Sequence, residues 1–386
     1  MIDFTSALYL GQHPLSVPFP QHLPVTTGKP AALYESCLHK DVAQAVARKQ
    51  GMERGLLTPS TLHVFWDIVA VMARFGAMLM DEAIYPVGRW GAMRAVLQGL
   101  PVSSFPANDA EQLARLIHSY RQQHRIPWII TDGWNVAQGQ PAPLGLYLEL
   151  LKPCREGVLL VDDTQAFGIL GQHPTPALPY GIGGGGSLPH LSLQNPKILT
   201  ITSLAKGLGV PVAVLAGSTN RIERYRRNST VRVHTSPVSN LHAWAAWDAL
   251  QNDQLTGDTL RNRLYQNVRL FKQTVRPVIT TGGWFPVQKL TLPNATAVFS
   301  LYNQLRRQGI QSLLLANAQQ PTVPEVAFCI RADHPTAAIV HTGRQIKAIM
   351  SETDSVHPKS HNLIHHESLA EFQTAKLHQP EDGRPG

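Results

Sequence analysis

Cysteine is scarce: there are three in 386 residues, Cys37, Cys154 and Cys329. They are far apart and odd in number, which excludes a disulfide framework and a Cys-x-x-Cys metal pair and fits a reducing cytoplasm. The amino terminus has no basic segment leading into an apolar signal core, and no apolar run reaches membrane-spanning length. The expectation is a soluble, cytoplasmic protein with no membrane partner. Charged residues are also few, at 16%, and basic ones prevail, giving a formal charge of +8. The basic residues are dispersed apart from Arg221, Arg224, Arg226 and Arg227, and no aromatic-interleaved basic stripe points to nucleic acid. The arginine cluster reads as the coat of a solvated helix, with coenzyme A phosphates or a nucleotide as the functional alternative.

A chain of this length, 43% hydrophobic, can bury a large core and suggests two to three domains. Residues 1–50 read as an extended arm followed by a helix over Asp41–Gln50, with Asp41 as its N-cap and Gly51 at its end. Short apolar strands then alternate with helical stretches. The strands expected are Gly55–Leu57, Ala77–Met80, Val102–Phe105, Trp128–Thr131, Val158–Val161, Leu199–Thr202 and Val212–Ala216. Fully apolar strands of this kind suit a sheet covered on both faces, so a large α/β domain with a mostly parallel, seven-stranded sheet is predicted over 51–275. A smaller C-terminal α+β domain is expected at 276–351, and a disordered polar tail at 352–386. The tail's His357, His361, His365 and His366 lack acidic or cysteine companions, so no metal site is expected. Gly183–Gly186 has no strand–GxGxxG–helix context and reads as a flexible surface loop.

The chemistry gathers around two strand ends. Val158–Val161 runs into Asp162-Asp163-Thr164-Gln165, and Ile198–Thr202 runs into Ser203-Leu204-Ala205-Lys206-Gly207. A carboxylate at one strand end and an amine at a later one are what pyridoxal 5′-phosphate (PLP) needs. The carboxylate keeps the pyridine nitrogen protonated, and the amine forms the Schiff base. Small residues beside Lys206 would let the ring and phosphate approach the backbone.

Further segments fall in a familiar order. Ile2-Asp-Phe-Thr-Ser-Ala-Leu-Tyr-Leu-Gly11 is similar to an "N(Y)LGL" opening segment, and Phe105-Pro-Ala-Asn108-Asp109 to "F.HND". Thr131-Asp132-Gly133 through Ala142-Pro143-Leu144 looks like "(T/V)(D/E)GV(F/Y)SMDG..APL". Val161-Asp162-Asp163 through Gly171 is similar to "VD(D/E)AH..G..G", and the lysine segment to "(T/S)..K..G". From about Ile2 to about Met350 the chain resembles the α-oxoamine synthases, fold-type I PLP-dependent transferases that include amino-oxononanoate synthase, amino-ketobutyrate coenzyme A ligase, aminolevulinate synthase and serine palmitoyltransferase. The resemblance implies a homodimer that condenses an amino-acid-derived carbanion with an acyl thioester, carried on coenzyme A or a carrier protein. An aminotransferase or other Cα chemistry is the alternative.

The resemblance also implies roles residue by residue. Lys206 would carry the cofactor, and Asp162 rather than Asp163 would face the pyridine nitrogen. Gln165 falls where the family has a histidine near the phenolic oxygen; an amide can donate a hydrogen bond there but cannot shuttle a proton. Tyr85 falls on the histidine that stacks on the ring. The phosphate is expected at a helix N-terminus, with Thr58 as N-cap, Pro59 at the first helical position, and Ser60, Thr61 and Leu62 at the anion. Ser203 is a second phosphate contact. Thr235 resembles the segment that reaches the phosphate across a dimer interface, with a plain turn as the alternative. Val136 replaces a family serine near the cofactor, and Ala327 the arginine that grips the substrate carboxylate. Arg331, four residues on, lies about 13 Å away along a strand. The amino substrate and the acyl donor stay open, and the changed contacts point to a non-standard substrate.

Overall fold

A computed structural model describes residues 1–12, 18–20, 23–278, 280–317 and 322–355. Of the expected tail, 352–355 belong to the helix Thr336–Ser355, while the remainder, with its histidines, lies outside the described residues. The chain divides into two compact units: one of residues 8–136 and 140–263, the other of residues 1–7, 137–139 and those from 264 onward.

The larger unit is built on seven strands: β1 (Arg54–Thr58), β2 (Gly76–Asp81), β3 (Val102–Phe105), β4 (Ile126–Asp132), β5 (Val158–Asp162), β6 (Ile198–Ser203) and β7 (Ala213–Gly217). Their order is β1-β7-β6-β5-β4-β2-β3. β7 runs antiparallel to both of its neighbours, and the remaining pairs are parallel. Each predicted strand is present, and the sheet is mostly parallel as expected. Alternation along the strands decides which helices cover which face. Ile130, Leu160, Ile201 and Leu215 pack on Val64, Phe65 and Ile68 of α2 (Thr61–Met72). Ile129, Leu159 and Val161, one residue out of phase, pack on Leu113 and Ile117 of α4 (Ala110–Gln122). Each fully buried aliphatic side chain contributes about 1.5–3 kcal/mol.

Two helix starts differ from expectation. α1 spans Cys37–Lys49 and is capped by Ser36, not Asp41; Ser36 and His39 close a reciprocal capping box in which histidine takes the place of the usual glutamate. Gly51 ends it as expected, in the left-handed region at φ 73°. α2 is capped at Ser60, because β1 continues through Thr58 as the partner of Ala213. α3 spans Pro86–Leu97, α5 Leu144–Leu150 and α6 Thr219–Asn228, and α7 is one 36-residue helix, Asn240–Val275.

The smaller unit holds a four-stranded antiparallel sheet in the order Thr280–Thr281, Val287–Leu290, Glu325–Cys329, Leu313–Leu315, with the helices Ala295–Arg307 and Thr336–Ser355. Ile2–Asp3 pairs with Ile310–Gln311. Phe4, Phe271 and Phe328 meet in an aromatic core, with Phe4 edge-on to Phe328 at 5.6 Å.

Candidate active site

Because β1 to β6 are mutually parallel, the segments that follow β1, β2, β4, β5 and β6 all emerge at one edge of the large sheet. Ligand chemistry in such sheets belongs at these carboxyl ends. Asp132 ends β4 and Asp162 ends β5, and the two are register partners on adjacent strands. Tyr85 follows β2 at the head of α3, and Lys206 lies in the turn after β6. The Lys206 Nζ stands 5.7 Å from the centre of the Tyr85 ring.

Burial raises the Asp162 carboxyl above the usual range; bonds from Thr164 and the charge of Lys206 act against that rise. Asp162 Oδ1 accepts the Thr164 N–H at 3.0 Å, and the Thr164 hydroxyl oxygen accepts the Ser203 N–H at 3.0 Å, which ties the ends of β5 and β6 together. Asp132 is raised further, first by burial and then by the negative charge of Asp162, while it accepts the Tyr85 N–H at 3.2 Å and feels the cation of Lys206.

Asp163 is occupied elsewhere. Its carboxyl is fully buried and accepts the Ser187 N–H, the Ser187 hydroxyl at 2.5 Å and the Gln50 amide at 3.2 Å. Burial pushes it up to about 7. Of the Gly183–Gly186 run, expected as a flexible surface loop, Gly183 is exposed, whereas the rest is packed, Gly186 against this group. Gly184 to Gly186 are buried, Gly186 has φ 97°, and a Cβ there would lie 1.9 Å from Asp163 Oδ2. Gly184, Gly185 and Gly186 are required by close packing. A Cβ at Gly207 would meet the Phe167 carbonyl oxygen at 2.5 Å, so its smallness also serves backbone packing beside the lysine turn.

Tyr9, almost wholly buried, donates its hydroxyl to Gln165 Oε1 at 2.9 Å. The Gln165 amide is thereby oriented with its oxygen engaged and its NH2 group as the remaining donor. At the N-terminus of α2, Ser60 makes no side-chain cap bond; its hydroxyl meets His63 Nδ1 at 2.8 Å, and Leu62 is exposed. Ser203 Oγ accepts the Ala205 N–H at 3.3 Å within the lysine turn. Thr235 donates its hydroxyl to Val231 O at 2.8 Å and lines a small cavity with Thr58, Pro59 and His63; Asp162, Lys206 and Tyr85 do not line it. Val136 is half-buried.

In the smaller unit, Ala327 is fully buried in the strand Glu325–Cys329, directly opposite Lys289. Lys289 bonds Glu325 at 2.7 Å and the Ala137 carbonyl at 2.7 Å. Arg331 is held by Asp333 at 2.9 Å and stands 3.9 Å from Asp3.

Asp132, Tyr9, Thr164 and His63 were not singled out from sequence as site residues. Asp132 carried a usable signal, a strand-end carboxylate before a glycine in a segment that already stood out.

No protein-family model matches the chain. An 8-amino-7-oxononanoate synthase of Acidithiobacillus ferrooxidans is 28% identical over 294 residues, covering 74% of this chain and 69% of that protein. A Thermosynechococcus vestitus protein that carries the same name provisionally is 27% identical over 303 residues, 77% of this chain and 73% of its own length. Among solved structures, Sphingomonas wittichii serine palmitoyltransferase superposes with a TM-score of 0.77 at 16% identity, covering 91% of this chain and 88% of that one. The 8-amino-7-oxononanoate synthase of Francisella tularensis gives 0.69 at 18% identity, covering 91% and 98%. The chain is a divergent relative of the α-oxoamine synthases. It has their fold, that of the fold-type I PLP enzymes.

The residues at the carboxyl edge fit PLP. Asp162 is a buried carboxylate suited to pair with a pyridinium, Lys206 is a nearby amine, Tyr85 offers an aromatic face, and the N-terminus of α2 lies after β1 at the same edge.

Proposed function

We propose that this chain is a PLP-dependent transferase of the α-oxoamine synthase type, joining an amino-acid-derived carbanion to an acyl thioester, with a non-standard amino substrate. The observation that carries the proposal is the placement of Lys206 beside Tyr85 with its charge acting on both Asp162 and Asp132, at the carboxyl ends of neighbouring strands. Bound PLP supplies an electron sink for charge developing at the substrate α-carbon. Lys206 would hold the cofactor aldehyde through its amine, and as a free amine it would move the proton at the substrate Cα. Asp162 holds the proton on the pyridine nitrogen. Asp132 accepts the Tyr85 N–H and so fixes the Tyr85 backbone beside Asp162. Tyr85 presents its ring for stacking, and Gln165, oriented by Tyr9, donates a hydrogen bond from its amide. Ser60, Thr61 and Leu62 at the α2 N-terminus receive the phosphate, with Ser203 and Thr235 as further candidates. The working form is a cytoplasmic homodimer, and the acyl group arrives on coenzyme A or a carrier protein; among the described residues no helix is long and apolar enough to cross a membrane.

The non-standard substrate follows from the smaller unit. Ala327 cannot grip a carboxylate, and Arg331 already serves Asp333. A substrate anchored by another group fits better: a tethered or thioester-bound amino acid, or an amine without a free carboxylate. The test is to incubate purified protein with PLP, reduce with borohydride and map the labelled peptide, then to screen amino substrates with and without acyl thioesters. Label on the peptide containing Lys206, with acyl transfer, is the expected result. A protein that stays colourless with added PLP defeats the proposal. Turnover by amino transfer alone would assign the aminotransferase chemistry instead.

A further inference from the structure

The amino edge of the large sheet, opposite the site described above, carries a cleft of about 490 Å³. It is bounded by the starts of β4 and β6 and by the first turn of α6. Ile126 and Asp132 lie at opposite ends of β4, six residue steps or about 20 Å apart. This volume lies in the range of small-molecule sites. Its walls hold five cationic side chains, Arg74, Arg155, Lys197, Arg221 and Arg224, against a single carboxylate, Glu156.

Three of these cations are held in place by backbone carbonyls. Arg221 donates to the Pro196 and Gly157 carbonyls at 3.2 and 3.3 Å, Arg224 to Met72 O at 3.4 Å, and Lys197 to the carbonyls of Cys154 and Arg155. Among the described residues none of the five forms a salt bridge. Burial lowers the Arg221 guanidinium from its ordinary value; the carboxylate of Glu156 opposes that shift and the cation of Arg224 adds to it. Ser218 and Asn220 bring the N-terminus of the ten-residue α6 into the same wall, and Ser218 makes no side-chain cap bond. Phe75 stands at the cleft with more than half its surface exposed, and the Arg74 guanidinium lies 5.4 Å from its ring centre.

We propose that this cleft binds a phosphate ester bearing two or more phosphoryl charges, with its phosphates against Arg74, Arg155, Lys197, Arg221 and Arg224 and a flat organic group on Phe75. Fixed guanidinium groups match phosphate oxygens, and a water-accessible aromatic face accepts a planar ring. The cleft lies at the other end of the strands from Lys206, so occupancy is independent of the chemistry proposed there and its ligand is not the reacting thioester.

The test uses full-length protein saturated with PLP and titrates inorganic diphosphate and ADP by calorimetry. Both probes are expected to bind at one site per chain, ADP several-fold tighter than diphosphate, and Phe75→Ala should abolish that difference. Arg74 and Arg155 are exposed, so Arg74→Glu/Arg155→Glu should fold with unchanged thermal stability and lose at least roughly tenfold in affinity for both probes. Arg155→Ala alone should lose less, giving a graded series. Absence of binding up to about 1 mM would overturn the proposal, as would affinity unchanged in the charge-reversed variant. Equal affinity for ADP and diphosphate in the parent protein would overturn the organic half. Tighter binding of an acidic peptide or an oligonucleotide than of ADP would overturn the small-ligand assignment.

Discussion

Asp163 offers a quantitative test, because its neighbour Asp162 differs from it by one residue and one strand face. The perturbation is Asp163→Asn. Burial pushes the native carboxyl up to about 7, from the ordinary 3.8. A carboxyl whose folded pKa is raised binds a proton in the folded state that the unfolded chain has released. The associated stability is fully present below about pH 4 and is lost as pH rises toward about 7. Three pKa units correspond to about 4 kcal/mol. Asparagine mimics the protonated acid at every pH. Its oxygen can accept from Ser187 N–H, and the Ser187 hydroxyl can turn to accept from the new NH2. Gln50 cannot reorient as easily, since its own oxygen accepts the Thr200 hydroxyl and its NH2 reaches Thr202 Oγ1. The variant should therefore be about 1 kcal/mol less stable than the parent at about pH 5. That deficit should vanish and reverse by about pH 8, a relative swing of about 3 kcal/mol. For a chain of this size the swing is on the order of 5 °C in the difference between the two melting temperatures. Parallel thermal melts at the two pH values read it directly. A difference that stays constant, or that grows in the parent's favour as pH rises, would refute the reasoning. It would show that three donors keep Asp163 ionised in spite of burial.

Asp162→Asn should leave the melting temperature nearly unchanged while sharply slowing exchange of the substrate α-proton; loss of exchange in Asp163→Asn alone would move the pyridine partner by one residue. Lys206→Ala should abolish borohydride-fixed cofactor, and persistent labelling would assign another lysine. Gly186→Ala adds a Cβ 1.9 Å from Asp163 Oδ2 at a positive φ and should cost more than about 2 kcal/mol, seen as a lowered melting temperature; a neutral effect would mean this loop relaxes freely. Glycine, alanine and serine should be turned over weakly or not at all, because losing a bidentate arginine weakens carboxylate binding by roughly tenfold to a hundredfold. Steady turnover of glycine with an acyl-coenzyme A at ordinary affinity would refute the altered-substrate reading.

What was legible in the sequence follows the range of the forces involved. The central strands of the large sheet are short apolar runs whose burial on both faces is a local compositional fact, and all seven strands occupy the predicted segments. Helix starts were harder where the cap is unusual: His39 performs the capping-box role usually held by an acid, and β1 reaches Thr58 only because Ala213 pairs with it from more than 150 positions away. Asp132 shows the same limit. Its motif stood out, but its pairing with Asp162 depends on β4 and β5 being neighbours, which no local pattern specifies. Gly183–Gly186 looked like a mobile loop because composition reports backbone freedom and not what crowds the backbone; Asp163, Arg261 and the Lys49 carbonyl supply the crowding.

Substrate selection depends on what has happened around position 327. Directly opposed residues on antiparallel strands share a face, as do residues two apart on one strand. Ala327 therefore shares its face with Lys289 across the pair and with Glu325 along its own strand, and those two form a buried ion pair at 2.7 Å. Removing one charge from such a pair leaves the other buried and unpaired at a cost of several kcal/mol, so Lys289 is committed to Glu325 and is not a spare cation. The face on which the resemblance places a free arginine thus carries a small apolar side chain beside a neutralised pair. A free carboxylate brought there would compete with Glu325 for Lys289. A substrate whose carboxyl is masked as a thioester or an amide would not, and the internal balance of this strand pair is the physical reason to look among such substrates first.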